Sequence, residues 1–592
     1  MLARSLSALL GLVLVTGCGL LDSGPPGWQG TQAVVSAHET ATEAGIEILQ
    51  AGGSAADAAV AVAATLSVVE PWFSSVLGGG TWALYYDATT GEVTSLDGVG
   101  PVGSLASVED YGSRASQPGM HQSIVPGAWD GWMLWLERYG RLPLGDVLAP
   151  AIEAGRAGYE VGPAMNFWLD RLEDPILAWP DTAAIYAPDG EVLSTGDTVF
   201  QRDLADTLET LAGVYDANLD QGRSAALDAA RDHVYRGPIA DAFVAASDAR
   251  DGYFVLDDFA DFEAAIVDPI EVRYDGIRVL QNPPNSQGIV QLLALDILDG
   301  VDLSGLDPDD PDAVHWQVEA LKLAFADRHY HVGDPDRIDV PVEALLSDAH
   351  ADRQRARISL DEVLTWPIED VLPETSSSVR RARATVTTTS DAPAATDFRP
   401  SGTTTFHVVD RDGNAAAVTT SLGAQFNVIG DTGIHINNRM RFIALAEGDP
   451  NRLTPGFKVR HTSNPYMALR GGRPYILGGN TGADTQAQGQ LQQFLSVAEF
   501  GLTAQEAVAR PRFLTDAFPA TTYPYDVGNT LRFEFGFPFG TIDALSDRGH
   551  DVVVGSGIWG IANMLVLEGD EIQVGADPRS GTTKGVVLPP GE

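Results

Sequence analysis

At 592 residues, with 44% hydrophobic and 20% charged side chains, the chain has a globular composition and the length for more than one domain. Its 37 basic and 81 acidic residues leave a formal charge of −44. That field repels phosphate backbones and anionic surfaces, which excludes nucleic acid as a partner class.

From the N-terminus, residues 1–17 read as a secretory signal: Arg4, an apolar run from Leu9 to Val15, then Thr16-Gly17. The run is too short to span a bilayer. Val15-Thr16-Gly17-Cys18 resembles the lipobox of bacterial lipoproteins, and Cys18 is the only cysteine. Cys18 is therefore expected to be lipidated and to anchor the protein to a membrane, in the periplasm or at the cell surface. An ordinary cleaved signal with an incidental cysteine is the competing reading. Residues 18–33 read as a flexible tether.

Residues 34–371 form the expected large part. Thr42 to Ala51 predicts a helix that Gly52-Gly53 stops. Ser54 and Asp57 form a capping-box start for a second helix, Ala55 to Val69, so rich in alanine that it must pack at short distance. Gly78-Gly79-Gly80 marks a close backbone approach, or simply a turn. A strand pair, Trp82 to Tyr86 and Val93 to Leu96, follows. Residues from about 125 to 370 read as mostly helical, with Gly127 to Tyr139, Leu144 to Ala157, Gly288 to Leu298 and Ala313 to His331 as examples.

Residues 372–402 are rich in Ser, Thr, Pro and Ala, with no apolar periodicity, and read as a disordered linker. The pattern then changes to two strands around Asp410-Arg411-Asp412-Gly413-Asn414, opening at Thr403. A hydroxyl residue where flexible peptide meets a strand suits a nucleophile unmasked by chain cleavage. Once the Gly402–Thr403 bond is broken, Thr403 carries a hydroxyl and a free α-amine to serve as its base. Threonine is also favoured in strands, so the local run alone fits an ordinary strand start. Residues 403–592 read as strand-rich, with helices near Thr485–Phe500 and Thr503–Ala509. Helices around two strand-rich segments predict a layered α/β fold. No HxxxH pair, P-loop or GxSxG elbow occurs, so neither metal nor cofactor is expected.

Several segments together resemble the gamma-glutamyltranspeptidase family of N-terminal nucleophile hydrolases. They include ATEAGIEILQAGGSAADAAVAVAATLSVVEP (41–71), VPGAWDGW (125–132), PPNSQG (283–288), EALKLAFADRHYHVGDPD (319–336), SGTTTFHVVDRDG (401–413), GGNTGADTQAQ (478–488) and ADPRSGTTKG (576–585). They occur in the family's order and cover essentially the whole mature chain. The resemblance implies a four-layer αββα sandwich, formed by large and small subunits that stay associated after one precursor cuts itself between Gly402 and Thr403. It also implies Thr403 as nucleophile, Ser421 as the assisting hydroxyl, and Gly482-Ala483 as the oxyanion hole.

The departures from the family pattern bear on substrate. Val99 stands where the family has its glutamate-binding arginine, and Gly423 replaces an Asn. Arg439-Met440-Arg441-Phe442 replaces the Gln-x-x-Asp that grips an α-amine, and His461-Thr462 replaces a Ser-Ser pair. Val cannot supply a bidentate grip on a carboxylate. Arg439, His461 and Thr462 are the expected substrate-binding residues, although a solvated surface role for Arg439 is equally open. The first reading is a self-processing gamma-glutamyltransferase or glutathione hydrolase-like amidohydrolase, acting on a small peptide or amide. The alternatives are an acylase-like amidase and a lipoprotein binding module without catalysis.

Overall fold

The computed structural model describes residues 28–373, 402–423, 425–522, 525–555 and 560–591. The signal, Cys18 and residues 374–401 lie outside them. Two stacked sheets are covered by helices on both outer faces, the four-layer αββα arrangement. The first sheet runs Lys584–Leu588, Gln32–Ser36, Thr403–Val409, Ala415–Ser421, Gly80–Asp87, Glu92–Gly98, Ala265–Val267. The second runs Glu571–Ala576, Ala562–Glu568, Arg473–Asn480, Tyr466–Arg470, Ile277–Gln281, Ile270–Tyr274. Both sheets therefore combine strands from before and after residue 402, and in the first sheet the two sets are interleaved.

The period-two alternation of the strands decides which way each residue faces. In Thr403–Val409, Phe406 and Val408 join the core shared with the first helical layer. Val409, and Ala415 and Ala417 of the neighbouring strand, join the core between the sheets. Thr403 shares parity with Val409, and Ser421 with Ala415. Both hydroxyls therefore lie on the inner face, at the end of paired strands in which Thr403 is the register partner of Ser421.

Helix Ala55–Val69 is buried along its whole length, and Ser54 and Asp57 form the expected reciprocal cap. Its partner helix Glu39–Gln50 approaches so closely that a Cβ on Gly45 would come 2.8 Å from Val62. The Asp410 carboxylate ties the hairpin turn to this layer: it accepts from the N–H groups of Asp412 and Asn414 and from Ala55 N–H at the helix start.

Two expectations need correction. The tether does not extend to residue 33. The indole of Trp28 donates to Arg411 O at 3.0 Å, and Gln32–Ser36 is a central strand paired on both sides. A short, fully buried QAVVS run leaves no alternation by which to recognise a strand. The middle region is also less uniformly helical than expected, since Ile270–Tyr274 and Ile277–Gln281 form a hairpin at the edge of the second sheet.

Candidate active site

Thr403 and Ser421 are fully buried, and their Oγ atoms lie 2.9 Å apart. Ser421 Oγ–H donates to the carbonyl oxygen of Gly402 at 2.7 Å, and Gly423 N–H donates to the same oxygen at 3.0 Å. Ser421 has a single proton, so the remaining contact runs from Thr403 Oγ–H to Ser421 Oγ. Arg439 Nη1 also donates to Ser421 Oγ, at 2.9 Å. The carbonyl before Thr403 is thus gripped by two donors, with a hydroxyl beside it on the next residue. Gly402, expected at the end of a loose linker, is buried and held.

Gly423 has φ +113°, and a Cβ there would sit 1.9 Å from Asn438 Oδ1. Only glycine fits this backbone. The departure from the family's Asn therefore leaves a main-chain donor on the Gly402 carbonyl, a role that could not be read from residue type.

Gly482 and Ala483 follow strand Arg473–Asn480, with φ of +104° and +52°. Among the described residues, neither N–H has an acceptor. They precede helix Thr485–Ala498, so the positive end of its dipole reinforces them. The turn is anchored by Gln287, which donates to Ala483 O, and by Arg328, which pairs with Asp484 and donates to Gln287 Oε1.

His461 and Thr462 are wholly buried, and both His461 Nε2 and Thr462 Oγ1 lack a hydrogen-bond partner. His461 Nε2 is 3.8 Å from the Cβ position of Gly80, the strand partner of Ser421. Burial, and then the Arg439 charge, holds its imidazole well below the usual range and hence neutral.

Arg439 is not a solvated arginine. It is 2% exposed and stacks on Phe442, with its Cζ 4.6 Å from the ring centroid. Its Nη2 donates to Asn438 Oδ1 at 2.6 Å. Burial, and then Arg441, lower its pKa to about 9, so it stays charged at neutral pH. Arg460 turns away and donates to the carbonyls of Arg328 and Val332. Val99 lies in an apolar cluster with Trp82 and Phe442. Lys458, another candidate replacement cation, is already paired at 2.6 Å with Asp97, two residues before Val99.

The sequence profile described as "Gamma-glutamyltranspeptidase" matches residues 41–587. The chain belongs to the gamma-glutamyltranspeptidase family. It is 33% identical over 568 residues to the glutathione hydrolase-like YwrD proenzyme of Bacillus subtilis (strain 168), covering 94% of this chain and 98% of that one. It is 30% identical over 560 residues to the acylase ACY 1 proenzyme of Pseudomonas sp. (strain SE83), covering 92% and 91%. Among solved structures it resembles cephalosporin acylase from Bacillus halodurans, with a TM-score of 0.78 at 28% identity over 94% of this chain and 96% of that one. Family membership makes the chain an amidohydrolase of the N-terminal nucleophile type, on the fold read from its sequence.

Two further side-chain groups have donor sets that could suit a metal: His315, Glu319, His550 and Asp327, His331, Asp370. Sequence spacing did not reveal them because the chain folds distant residues together. In the first group the Lys322 ammonium lies 2.7 Å from Glu319, and His315 is bonded to both His550 and Ser359 O. Its donors are already answered. In the second, His331 pairs with Asp370 at 3.0 Å, and Asp327 accepts from Gln354 and pairs with His350. Among the described residues no helix is long and apolar enough to cross a membrane.

Proposed function

We propose that the precursor cuts itself between Gly402 and Thr403, and that Thr403, then carrying a free α-amine, hydrolyses an acyl amide other than a γ-glutamyl one. The observation that carries this reading is the Gly402 carbonyl, held by Ser421 Oγ–H and Gly423 N–H beside the Thr403 hydroxyl. In the cut, Thr403 Oγ attacks the Gly402 carbonyl carbon while its proton is relayed through Ser421 Oγ, which releases its own proton toward the leaving nitrogen as it takes up the new one. The two donors stabilise the oxyanion. Collapse breaks the C–N bond, the proton relayed by Ser421 moves to the Thr403 nitrogen, and Gly402 is left as an ester on Oγ. Water releases it. The new α-amine then serves as base for the same oxygen against substrate. The N–H groups of Gly482 and Ala483 receive the substrate oxyanion; one such donor is worth about 2.7–4 kcal/mol.

The acylase-like reading is favoured over γ-glutamyl transfer by what surrounds Thr403. Val99 and its apolar neighbours cannot grip an α-carboxylate, and Arg439 opposes the α-ammonium that a γ-glutamyl group carries. Losing charge-assisted hydrogen bonds costs about 1.5–3 kcal/mol each. Two such losses lower kcat/KM by a factor on the order of 10² or more. Glutathione and γ-glutamyl anilides are therefore expected to be turned over at least that much more slowly than the best substrate in a panel of acyl anilides. An electrophile that acylates N-terminal threonine should still label the small fragment. Glutathione emerging as the best substrate would defeat the specificity reading.

The lipobox-like run supports attachment to a membrane through Cys18. Cys18→Ser is expected to move the protein from the membrane fraction to the soluble one. Wild-type protein that is soluble and without acyl mass would refute the anchor.

A further inference from the structure

Helix Thr485–Ala498, which begins just after the Gly482-Ala483 turn, is buried along its length, yet one of its faces is polar. Gln486, Gln490 and Gln493 stand at i, i+4 and i+7, so their amides form one line. Gln490 is the hub of that face. Its Oε1 accepts from Gln281 at 3.2 Å and from Asn464 at 3.3 Å, and its Nε2 donates to Asn464 O. Gln281 Nε2 donates in turn to Gln291 Oε1 at 2.6 Å.

The rest of the face is unanswered. Among the described residues, Gln281 Oε1, Gln291 Nε2, Asn464 Oδ1, Thr462 Oγ1 and both ends of the Gln486 and Gln493 amides have no partner. All six side chains are at most 1% exposed. Buried polar groups left in that state are costly, and ordered water is what ordinarily satisfies them. The chemistry selects the ligand. None of these groups is ionisable, and donors and acceptors are mixed. A cation answers only the oxygens and an anion only the nitrogens, whereas water answers both. Gly288 opens the space: a Cβ there would sit 2.3 Å from Gln281 Oε1.

One end of the line lies at the catalytic centre. Gln486 N–H and Gln287 Nε2 both donate to Ala483 O, and Gln287 N–H donates to His461 O, the residue before Thr462. His461 Nδ1 accepts from Ser463 N–H, so its neutral ring carries the proton on the unpartnered Nε2.

We propose that this face of the helix holds a chain of ordered waters ending behind the oxyanion turn, and that the water resolving the Thr403 acyl-enzyme is drawn from it. This rests on Thr403 forming that ester. The water oxygen adds to the ester carbonyl while the Thr403 α-amine takes its proton. Collapse breaks the bond to Oγ, the amine returns the proton to Oγ, and the free acid leaves. Water supplied from within reaches the ester without crossing the mouth by which an amine acceptor must enter. Hydrolysis is therefore favoured over transfer.

The test has two arms. Crystals of the processed wild type should show waters within about 3.2 Å of the Gln486 and Gln493 amides and of Gln281 Oε1. A dry face overturns the site. In solution, an acyl anilide is turned over with hydroxylamine as competing acceptor. Gln486→Leu should keep the burst of aniline that reports acylation and slow deacylation by about three- to tenfold, as expected for one lost hydrogen bond to the water. The ratio of hydroxamate to free acid should rise by the same factor. If the amides serve only packing, the melting temperature falls, the ratio stays unchanged, and the supply role is overturned. Should Gln486→Leu fail to mature, Gln493→Leu, two turns further from Thr403, is read in the same way. A wild-type burst with an unchanged ratio in the variants refutes the water supply and leaves the nucleophile standing. Absence of both the burst and labelling of Thr403 by the electrophile removes both readings.

Discussion

Thr403→Ala is expected to leave a single full-length band on a denaturing gel where the wild type gives two. The substitution removes the attacking oxygen and little else. The lost contact is one buried hydroxyl–hydroxyl bond, worth about 1 kcal/mol, against a total stability of roughly 5–15 kcal/mol for a folded domain. Ser421 keeps its bonds to Arg439 and to the Gly402 carbonyl. The variant should fold and remain whole. N-terminal sequencing of the smaller wild-type fragment should begin at Thr403. Cleavage of the variant at the same bond would sink the assignment, because no other hydroxyl is attached to the residue after the bond.

The second large effect is expected at Ser421. Ser421→Ala deletes a donor to the Gly402 oxygen and the acceptor of the Thr403 proton, and leaves Gly423 N–H as the remaining grip. Removing one oxyanion donor costs a factor of about 10²–10³ in rate. Precursor should therefore accumulate and convert slowly over time. Ser421→Thr restores the hydroxyl at the same strand end and should recover most of the rate. Maturation of Ser421→Ala at the wild-type rate would show that the hydroxyl has no part in the cut.

Legibility differed by residue. Helix Ala55–Val69 was readable to its ends because Ser54 and Asp57 cap it and proline follows, all local signals. Phe406 and Val408 announced their strand through alternation. Strand Gln32–Ser36 was hidden, since a strand buried on both faces shows no period. In the candidate site, the order of the motifs pointed to Thr403, Ser421 and the Gly482-Ala483 turn, and the structure puts the first two in hydrogen-bonding contact. Arg439 was read as a substrate grip or a surface charge. Its bond to Ser421 depends on bringing a 3₁₀ turn against a strand end, which no spacing encodes. Gly423 looked like the loss of a side chain, and its contribution is a backbone N–H at positive φ. Residue type carries no record of main-chain donors.

The alternation of strands across position 402 reaches beyond catalysis. A central strand such as Thr403–Val409 has Gln32–Ser36 on one side and Ala415–Ser421 on the other, and Gly80–Asp87 lies next beyond. No arrangement of either fragment alone reproduces that order, so the intact precursor is the unit that folds. The Thr403 hydroxyl, the Ser421 hydroxyl and the gripped Gly402 carbonyl meet only when the strands are in register. A molecule found in two pieces therefore carries a permanent record of having once been native, and the ratio of cut to uncut chain in a cell counts successful folding events.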